Sequence, residues 1–271
     1  MPELPEVETI ARSLAARVAG DTVVSVWLGS KPQTWKSPPA EIARALTGAR
    51  LAAIRREGKQ IVIDLAHGRS RKIRQQWIVH LGMTGQLLVA RPESEIEKHT
   101  HLIAHLGSGR EIRFVDPRRF GRVSVREFAA HERHYEPLQV DLDTFAALFR
   151  KRKLPIKAAL LNQKLLRGIG NIYADEALFR AGIRPRRRAG TLTRAELQGL
   201  YAAMRKVLKE AIAAGGTSIS DYVDAEGSEG SFQLKLRVYQ RTGEPCMVCR
   251  TPIKRIIVGG RSTHYCPQCQ R

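Results

Sequence analysis

The spacing of apolar residues divides the chain into a leading helix, a region of short strands and a region of helices. Apolar residues recur at helical spacing from Val7 to Val18, and Gly20 ends this pattern. Between residues 22 and 128 the pattern changes to short alternating runs separated by glycine, proline and charged turns. The runs predicted to be strands include residues 22–28, 60–65, 76–81, 86–90 and 110–115. They predict a β-sandwich or barrel behind an N-terminal helix.

Helical spacing returns in the second half of the chain. One helix is predicted by the apolar stripe Leu154, Ala158, Leu161 and Leu165. A second is predicted at residues 172–181, and a third begins at the capping box of Thr193 and Glu196. Residues 217–231 contain few apolar side chains, which predicts a mobile loop.

All four cysteines lie near the C-terminus, as Cys246-x2-Cys249 and Cys266-x2-Cys269. Two pairs at this spacing are typical of a zinc ribbon, in which each pair supplies two thiolates to one tetrahedral ion. Four thiolates close the coordination sphere, so we expect one structural Zn²⁺ and no catalytic metal here. Two disulfides are the alternative, which a secreted protein would favour.

Lysine and arginine outnumber aspartate and glutamate by 46 to 26, which gives a formal charge of +20. Nucleic acid is the commonest acidic partner of a folded protein this positive. A membrane surface is the rival partner, yet no apolar stretch reaches the length of a spanning helix. The first residues are acidic where a signal peptide is basic. We therefore expect a cytoplasmic monomer without a membrane partner.

The N-terminal residues Met1-Pro2-Glu3 have two interpretations. Proline is favoured in a first helical turn and acidic residues complement the helix dipole, so they could simply begin a helix. Alternatively, removal of Met1 leaves Pro2 as a secondary amine, and an α-amine with a pKa of about 8 is more often unprotonated at neutral pH than a lysine. Attack on a sugar aldehyde carbon would give a cationic iminium, with Glu3 beside it as general acid or base.

Five segments of the chain resemble the bacterial formamidopyrimidine-DNA glycosylase family, in the family's order. They are PELPE at residues 2–6, HLGMTG at 80–85, DPRRFG at 116–121, GIGNIYADE at 168–176 and GGRSTHYCPQC at 259–269. The resemblance implies an α+β multidomain fold. Its expected parts are an N-terminal β-sandwich with a leading helix (1–130), a linker (131–140), a helix-two-turn-helix domain with a lesion-closing loop (141–231) and a zinc-finger β-hairpin (232–271).

The resemblance also implies an activity. Pro2 would be the Schiff-base nucleophile, Glu3 its acid/base partner, and Lys59 a lysine that approaches the lesion. The enzyme would excise 8-oxoguanine and formamidopyrimidines from duplex DNA and cleave the strand by β- and δ-elimination, as a step of base excision repair. Double-stranded DNA with oxidised purines or abasic sites is therefore the expected partner.

A further set of residues corresponds to side chains of the family that enter the duplex. Met83, Arg118 and Phe120 would fill the gap left by the flipped nucleotide, and Arg119 belongs to the same motif. Taken singly, Met83 and Phe120 would be core residues, and Arg118-Arg119 a solvated turn.

Other residues match phosphate-binding and lesion-closing positions of the family. The phosphate-binding positions are His80, Asn171, Tyr239 and Arg261. The lesion-closing positions are Thr217, Ser218, Ser220 and Tyr222. Alone, Asn171 could be a simple N-cap, His80 a histidine satisfied in the sheet, and the loop a surface loop without function.

Two rival functions remain open on the sequence. Endonuclease VIII, the related enzyme for oxidised pyrimidines, shares the nucleophile, but its opening typically has glycine at the position of Leu4 and it lacks the Met83, Arg118 and Phe120 set. A non-catalytic zinc-ribbon protein that binds nucleic acid would explain the charge and the cysteines. It would not explain the Pro2-Glu3 start.

Overall fold

A computed structural model describes residues 1–68, 73–128, 135–219 and 222–271. The chain divides into two compact units, each described separately below. The first comprises Met1–His131 and Ala214–Ser231, and the second comprises Glu132–Ala213 and Phe232–Arg271.

The first unit is a β-sandwich with a leading helix, as predicted. Its elements are α1 (Leu4–Val18), β1 (Val23–Leu28), α2 (Pro39–Leu46), β2 (Ala49–Glu57), β3 (Gln60–His67), β4 (Ile73–His80), β5 (Gln86–Ala90), β6 (Thr100–Leu106), β7 (Glu111–Val115) and β8 (Arg122–Glu127). One antiparallel sheet has the order β1-β6-β7-β5 and the other β2-β3-β4-β8. Apolar side chains of both sheets and of α1 form one core.

Residues 214–231 pack within the first unit and not within the helical domain that the resemblance implied for them. Tyr222 and Ala225 are buried in the sandwich core, and the Val89 N–H of β5 donates to the Ala225 carbonyl (3.0 Å). Mobility of the segment stays a prediction, but Tyr222 and Ala225 are anchored in the core. Its few apolar side chains are the ones that dock on the core, and composition alone does not reveal this.

The second unit contains α3 (Leu142–Phe149), α4 (Ile156–Leu160), α5 (Asn171–Arg180), α6 (Arg194–Ala213), β9 (Lys254–Val258) and β10 (Arg261–Tyr265). The capping box predicted for α6 is confirmed, since Thr193 N–H donates to Glu196 Oε2 (2.8 Å) and Glu196 N–H donates to Thr193 Oγ1 (3.2 Å). Among the described helices, none combines the length and apolar content needed to cross a bilayer.

The apolar stripe from Leu154 to Leu165 does not form one helix. Helix α4 begins only at Ile156, after Pro155, because the residue before a proline is biased away from helical conformation. It ends at Leu160, and the Asn162 side chain then accepts the Lys164 N–H (3.0 Å) in a turn. Leu154 is consequently exposed.

Candidate functional site

The N-terminal residues are held at the start of α1 by Glu6. Pro2, Glu3 and Glu6 are buried, and the Glu3 N–H donates to Glu6 Oε2 (2.8 Å) within a capping box. The residues therefore do begin a helix. The same geometry keeps the Glu3 carboxylate next to Pro2 in the chain and away from bulk water, so the structural and chemical interpretations are compatible.

The second oxygen of Glu6 binds the segment predicted to close over the lesion. Glu6 Oε1 accepts the Thr217 N–H (2.8 Å), and Tyr222 Oη donates to the Gly215 carbonyl (2.9 Å). Burial raises the pKa of Tyr222, and the negative charge of Glu6 raises it further, so the phenol stays protonated and donates. Glu6 thus links the N-terminus to the base of this loop.

Ser218 ties the two ends of the same loop together. Its Oγ donates to the Tyr222 carbonyl (3.0 Å) and accepts the Gly230 N–H (2.8 Å). Thr217 and Tyr222 therefore meet at Glu6, and Ser218 contacts Tyr222, while Ser220 lies outside the described residues.

Two turns of the first unit touch at their backbones. We call them the wedge loops, residues 81–85 between β4 and β5 and residues 116–121 between β7 and β8. A Cβ added at Gly82, where φ is 65°, would lie 2.5 Å from the Gly121 nitrogen, so this approach requires glycine. The buried Asp116 carboxylate joins the loops by accepting Thr84 Oγ1–H (2.6 Å) and Gly121 N–H (2.7 Å).

The wedge loops carry the side chains predicted to enter DNA. Met83 and Phe120 are 39% and 48% exposed, so the interpretation of either as a core residue is wrong. The Arg118 guanidinium lies 4.9 Å from the centre of the Phe120 ring, a cation–π contact. Arg119 has a φ of 57°, a left-handed conformation that is strained for a residue other than glycine. The three side chains are thus offered by two turns that contact each other.

His80 lies at the end of β4, beside the first wedge loop. The Gly82 N–H donates to His80 Nδ1 (3.0 Å), which places the proton of a neutral ring on Nε2. Burial lowers the pKa of His80, and the positive charges of Lys59 and Arg122 lower it further, so the ring is neutral at pH 7. Lys59 itself occupies the two-residue turn with Gly58 between β2 and β3.

In the second unit, the start of α5 contacts the hairpin formed by β9 and β10. The N-cap of α5 is Gly170, so the interpretation of Asn171 as an N-cap is wrong. Asn171 Nδ2 instead donates to Ser262 Oγ (3.2 Å), and Ser262 follows the exposed Arg261. Asn171 therefore contacts the residue next to Arg261, although the two predicted phosphate-binding residues are far apart in the chain.

A buried lysine and a buried aspartate, neither of them predicted from the sequence, join α4, α5 and β10. Lys157 Nζ lies 2.7 Å from Asp175 Oδ1, with both side chains fully buried. Lys157 also donates to the Ser262 carbonyl (2.6 Å) and to Thr263 Oγ1 (2.9 Å), and Asp175 Oδ2 accepts the His264 N–H (2.8 Å). This cluster holds the strand that follows Arg261.

Glu176 orders the backbone around Tyr239 in the same way. Its carboxylate accepts the N–H groups of Arg237, Val238 and Tyr239 at 2.9 to 3.1 Å, and burial raises its pKa. The Tyr239 ring meets the His264 ring edge-on, with centroids 5.1 Å apart. Two adjacent acids directly after the run Ile172-Tyr173-Ala174 were the available sequence signal for Asp175 and Glu176.

The four cysteines come together in residues 243–271, which we call the zinc hairpin. Their Sγ atoms all lie within 4.8 Å of one another, with separations of 3.9 Å for Cys246–Cys269 and 3.4 Å for Cys249–Cys266. A tetrahedral zinc ion with Zn–S bonds of about 2.3 Å separates neighbouring sulfurs by about 3.8 Å. The geometry fits one such ion, and the free thiols show that the disulfide alternative is wrong.

Three of the thiols differ in the direction in which their pKa is shifted. A hydrogen bond with Thr251 lowers the pKa of Cys249 to about 6, whereas burial raises the pKa of Cys266 and of Cys269. Four sulfurs at this separation repel one another when ionised, and a divalent cation removes that penalty. The residues therefore suit one structural zinc ion.

The second unit places a helix start and an arginine-tipped zinc hairpin together, which defines a zinc-finger protein of the helix-two-turn-helix class. Family models match most of the chain: the formamidopyrimidine-DNA glycosylase N-terminal domain at residues 1–123, its H2TH domain at 133–223, and the zinc finger found in FPG and IleRS at 243–271. The chain belongs to the formamidopyrimidine-DNA glycosylase family.

Relatives and solved structures agree with this assignment over the full length. The formamidopyrimidine-DNA glycosylases of Thioalkalivibrio sulfidiphilus and Solibacter usitatus are 47% and 46% identical to the chain, each covering 100% of both chains. A crystal structure of a Lactococcus lactis FPG mutant with DNA containing Fapy-dG has a TM-score of 0.89 at 33% identity, again covering 100% of both chains. The same protein with abasic-site DNA has a TM-score of 0.89 and covers 99% of both.

Proposed function

We propose that this protein is a bifunctional DNA glycosylase and abasic-site lyase that excises oxidised purines from duplex DNA in base excision repair. The observation that carries the proposal is the buried Pro2-Glu3 pair at the start of α1, which Glu6 links to the predicted lesion-closing loop. The name of the relatives and the Fapy-dG in the DNA of a similar structure support the substrate class.

The chemistry starts once Met1 is removed. The Pro2 nitrogen, as a free amine, forms a bond to C1′ of the damaged nucleotide, the bond between C1′ and the base breaks, and the proton lost from the nitrogen neutralises the departing base. Glu3 donates a proton to O4′ as the sugar ring opens, which leaves a cationic iminium between Pro2 and C1′. Loss of a C2′ proton then expels the 3′ phosphate by β-elimination, δ-elimination expels the 5′ phosphate, and water hydrolyses the iminium. The Lys59 ammonium offers a positive charge to the phosphates.

The remaining predicted residues would hold the DNA. Met83 and Phe120 offer apolar surface that replaces lost base stacking, and Arg118 can donate to the orphaned base. The neutral His80 can donate from Nε2 to one phosphate oxygen. Each phosphate that a lysine or arginine neutralises releases counterions, so the affinity for DNA should fall as the salt concentration rises.

The second unit supplies a separate phosphate-binding surface. Arg261 is exposed at the turn of the zinc hairpin, and Tyr239 is half-buried beside His264. Asn171 has one buried amide atom, Oδ1, without a hydrogen bond among the described residues. Because Ser262 Oγ can donate as well as accept, a flipped amide would keep this contact and place the Nδ2 donor where Oδ1 now lacks a partner. Zinc, when bound to the four cysteines, holds the hairpin in shape.

Borohydride trapping tests the proposal. Untagged protein, shown by mass spectrometry to lack Met1, is incubated with duplex DNA containing one 8-oxoguanine opposite cytosine, and the reduced adduct is mapped by peptide sequencing. We expect a covalent bond at Pro2. Glu3→Gln should bind the same DNA with unchanged affinity and form little adduct, because proton donation to the sugar is lost.

Two controls separate the rivals. A protein that keeps a residue before Pro2 should form no adduct. If the protein is instead a non-catalytic DNA-binding protein, the extension should leave its function unchanged. Duplex DNA with thymine glycol should trap less than DNA with 8-oxoguanine; the reverse order would assign the protein to oxidised pyrimidines. Absence of any adduct, with Met1 removed and DNA bound, would defeat the proposal.

A further inference from the structure

Arg56 lies on β2, between the two parts of the first unit that carry the proposed reactive groups. Its side chain is only 4% exposed although it is charged. One of its nitrogens, Nε, donates to Glu8 Oε2 on α1 (2.9 Å). Another, Nη1, donates to the carbonyl of Gly58 in the turn between β2 and β3 (3.0 Å). A single guanidinium therefore joins the helix to the turn.

The two contacts connect specific groups. Helix α1 begins directly after Pro2 and Glu3, so its position determines theirs. The turn consists of Gly58 and Lys59, and its conformation depends on a φ of 59° at Gly58. The carbonyl that Arg56 binds belongs to the peptide group whose nitrogen is that of Lys59. Movement of this peptide would move Lys59 relative to α1.

We infer that Arg56 is a positioning residue that holds the Lys59 turn against α1, and so maintains the arrangement of Lys59 with Pro2 and Glu3. The inference rests on the proposed function of those residues. Arginine suits the role because its planar guanidinium donates in two directions at once, whereas the single nitrogen of a lysine is a point donor. The other cation paired with Glu8, Arg12, lies on α1 itself and cannot connect the helix to the turn.

The charge of Lys59 also acts at the end of β4. Burial and then the Lys59 charge lower the pKa of His80, so the ammonium lies close enough to influence a predicted phosphate-binding residue. A displaced turn would therefore disturb groups proposed for chemistry. Reaction geometry is sensitive to such displacement, since misplacement by about 1 Å can reduce a rate by about 100-fold.

Two variants separate positioning from stability. Arg56→Lys keeps a positive charge but has only one nitrogen, which cannot occupy the positions of both Nε and Nη1, and Arg56→Gln loses the charge as well. Each is compared with wild type in single-turnover release of 8-oxoguanine at saturating enzyme, in borohydride trapping, in DNA affinity and in melting temperature. Arg12→Gln is the matched control, since it removes the other ion pair of Glu8.

We expect Arg56→Lys to melt close to wild type and to bind DNA within about threefold of it, yet to release the base at least tenfold more slowly. Arg12→Gln should react at the wild-type rate. The inference is overturned if Arg56→Lys reacts as fast as wild type, or if its rate falls only in proportion to DNA affinity or melting temperature. If wild type itself forms no adduct, the proposed function fails, and this inference fails with it.

Discussion

The wedge loops and the zinc hairpin both present an arginine at a turn, but different forces hold them. The wedge loops close a sandwich with a large core that includes the fully buried Trp77 and Phe114. One carboxylate, that of Asp116, joins them by hydrogen bonds. The zinc hairpin has two five-residue strands, and its own apolar cluster is small and includes the cysteines themselves.

The difference shows what a surface turn needs in order to hold its shape. Strands anchored in a large core position their connecting turns, so a few hydrogen bonds to one buried carboxylate are sufficient. An isolated two-stranded hairpin is marginally stable at best, because it buries too little apolar surface. In the second unit, a metal ion and the buried Lys157–Asp175 pair take the place of that core.

Removal of the metal should have the largest effect and should affect one region only. Cys249→Ser should lose zinc and unfold the zinc hairpin, since structural zinc binds zinc-finger peptides with about 10–16 kcal/mol. The three tryptophans, at positions 27, 35 and 77, all lie in the first unit. We expect tryptophan fluorescence to stay unchanged while DNA affinity, measured by fluorescence anisotropy, falls at least tenfold.

Met247→Ser is the matched control for the metal site. Met247 is exposed between two of the ligands and binds no metal, so this variant should keep both zinc and DNA affinity. Loss of the native tryptophan signal in Cys249→Ser would show that the two regions do not fold independently. Unchanged DNA affinity after loss of zinc would contradict the role given to the zinc hairpin.

A smaller effect should come from crowding the wedge loops. Gly82→Ala and Gly109→Ala both introduce a side chain at a left-handed position, which costs about 1–2 kcal/mol. Only at Gly82 would the new Cβ collide with backbone, since nothing lies within 4 Å of a Cβ at Gly109. We expect Gly82→Ala to lose a further ~1–3 kcal/mol in urea unfolding followed by tryptophan fluorescence.

The same pair of variants also tests function. Gly82→Ala should weaken binding to lesion-containing DNA because it separates the loops that carry Met83 and Phe120, while its zinc content stays at wild-type level. Equal stabilities of the two alanine variants would mean that the close approach of the wedge loops is not required.

The smallest effect concerns acid stability in the second unit. A hydrogen bond from Arg187 lowers the pKa of Glu196 from 4.5 to about 2. A carboxyl group whose pKa is lowered by folding stabilises the folded state above pH 4.5, and this contribution disappears as the pH falls towards 2. The Glu196 side chain is 31% exposed, so solvent screening keeps the effect small.

Differential scanning calorimetry of Glu196→Gln checks this. The variant should melt below wild type at pH 7, and the difference should shrink as the pH approaches 3. Comparison at each pH cancels the acid release of zinc, which both proteins share. Asp143→Asn, which removes an exposed ion pair with Arg194, should melt like wild type throughout. A difference for Glu196→Gln that is constant with pH would contradict the assigned pKa.

Features that depend on near neighbours in the chain could be predicted from sequence. Helix α1 follows from apolar spacing, the start of α6 from one capping box, and the zinc site from two cysteine pairs. The single helix predicted from Leu154 to Leu165 is wrong because apolar spacing does not include the effect of Pro155 on the residue before it. The segment around Tyr222 was assigned to the helical domain, because composition cannot show which core a few apolar residues pack against.

Local spacing and the family resemblance were thus sufficient for the fold class and the metal ligands, and they nominated the Pro2-Glu3 pair that is proposed to react. They could not show that Asn171 contacts Ser262, that Asp116 joins the wedge loops, or that Arg56 connects α1 to the Lys59 turn. These contacts join residues far apart in the chain, and they form only after sheets and helices have packed. The physical reason is burial: a polar group removed from water must find a partner, and the folded neighbourhood decides which partner it finds.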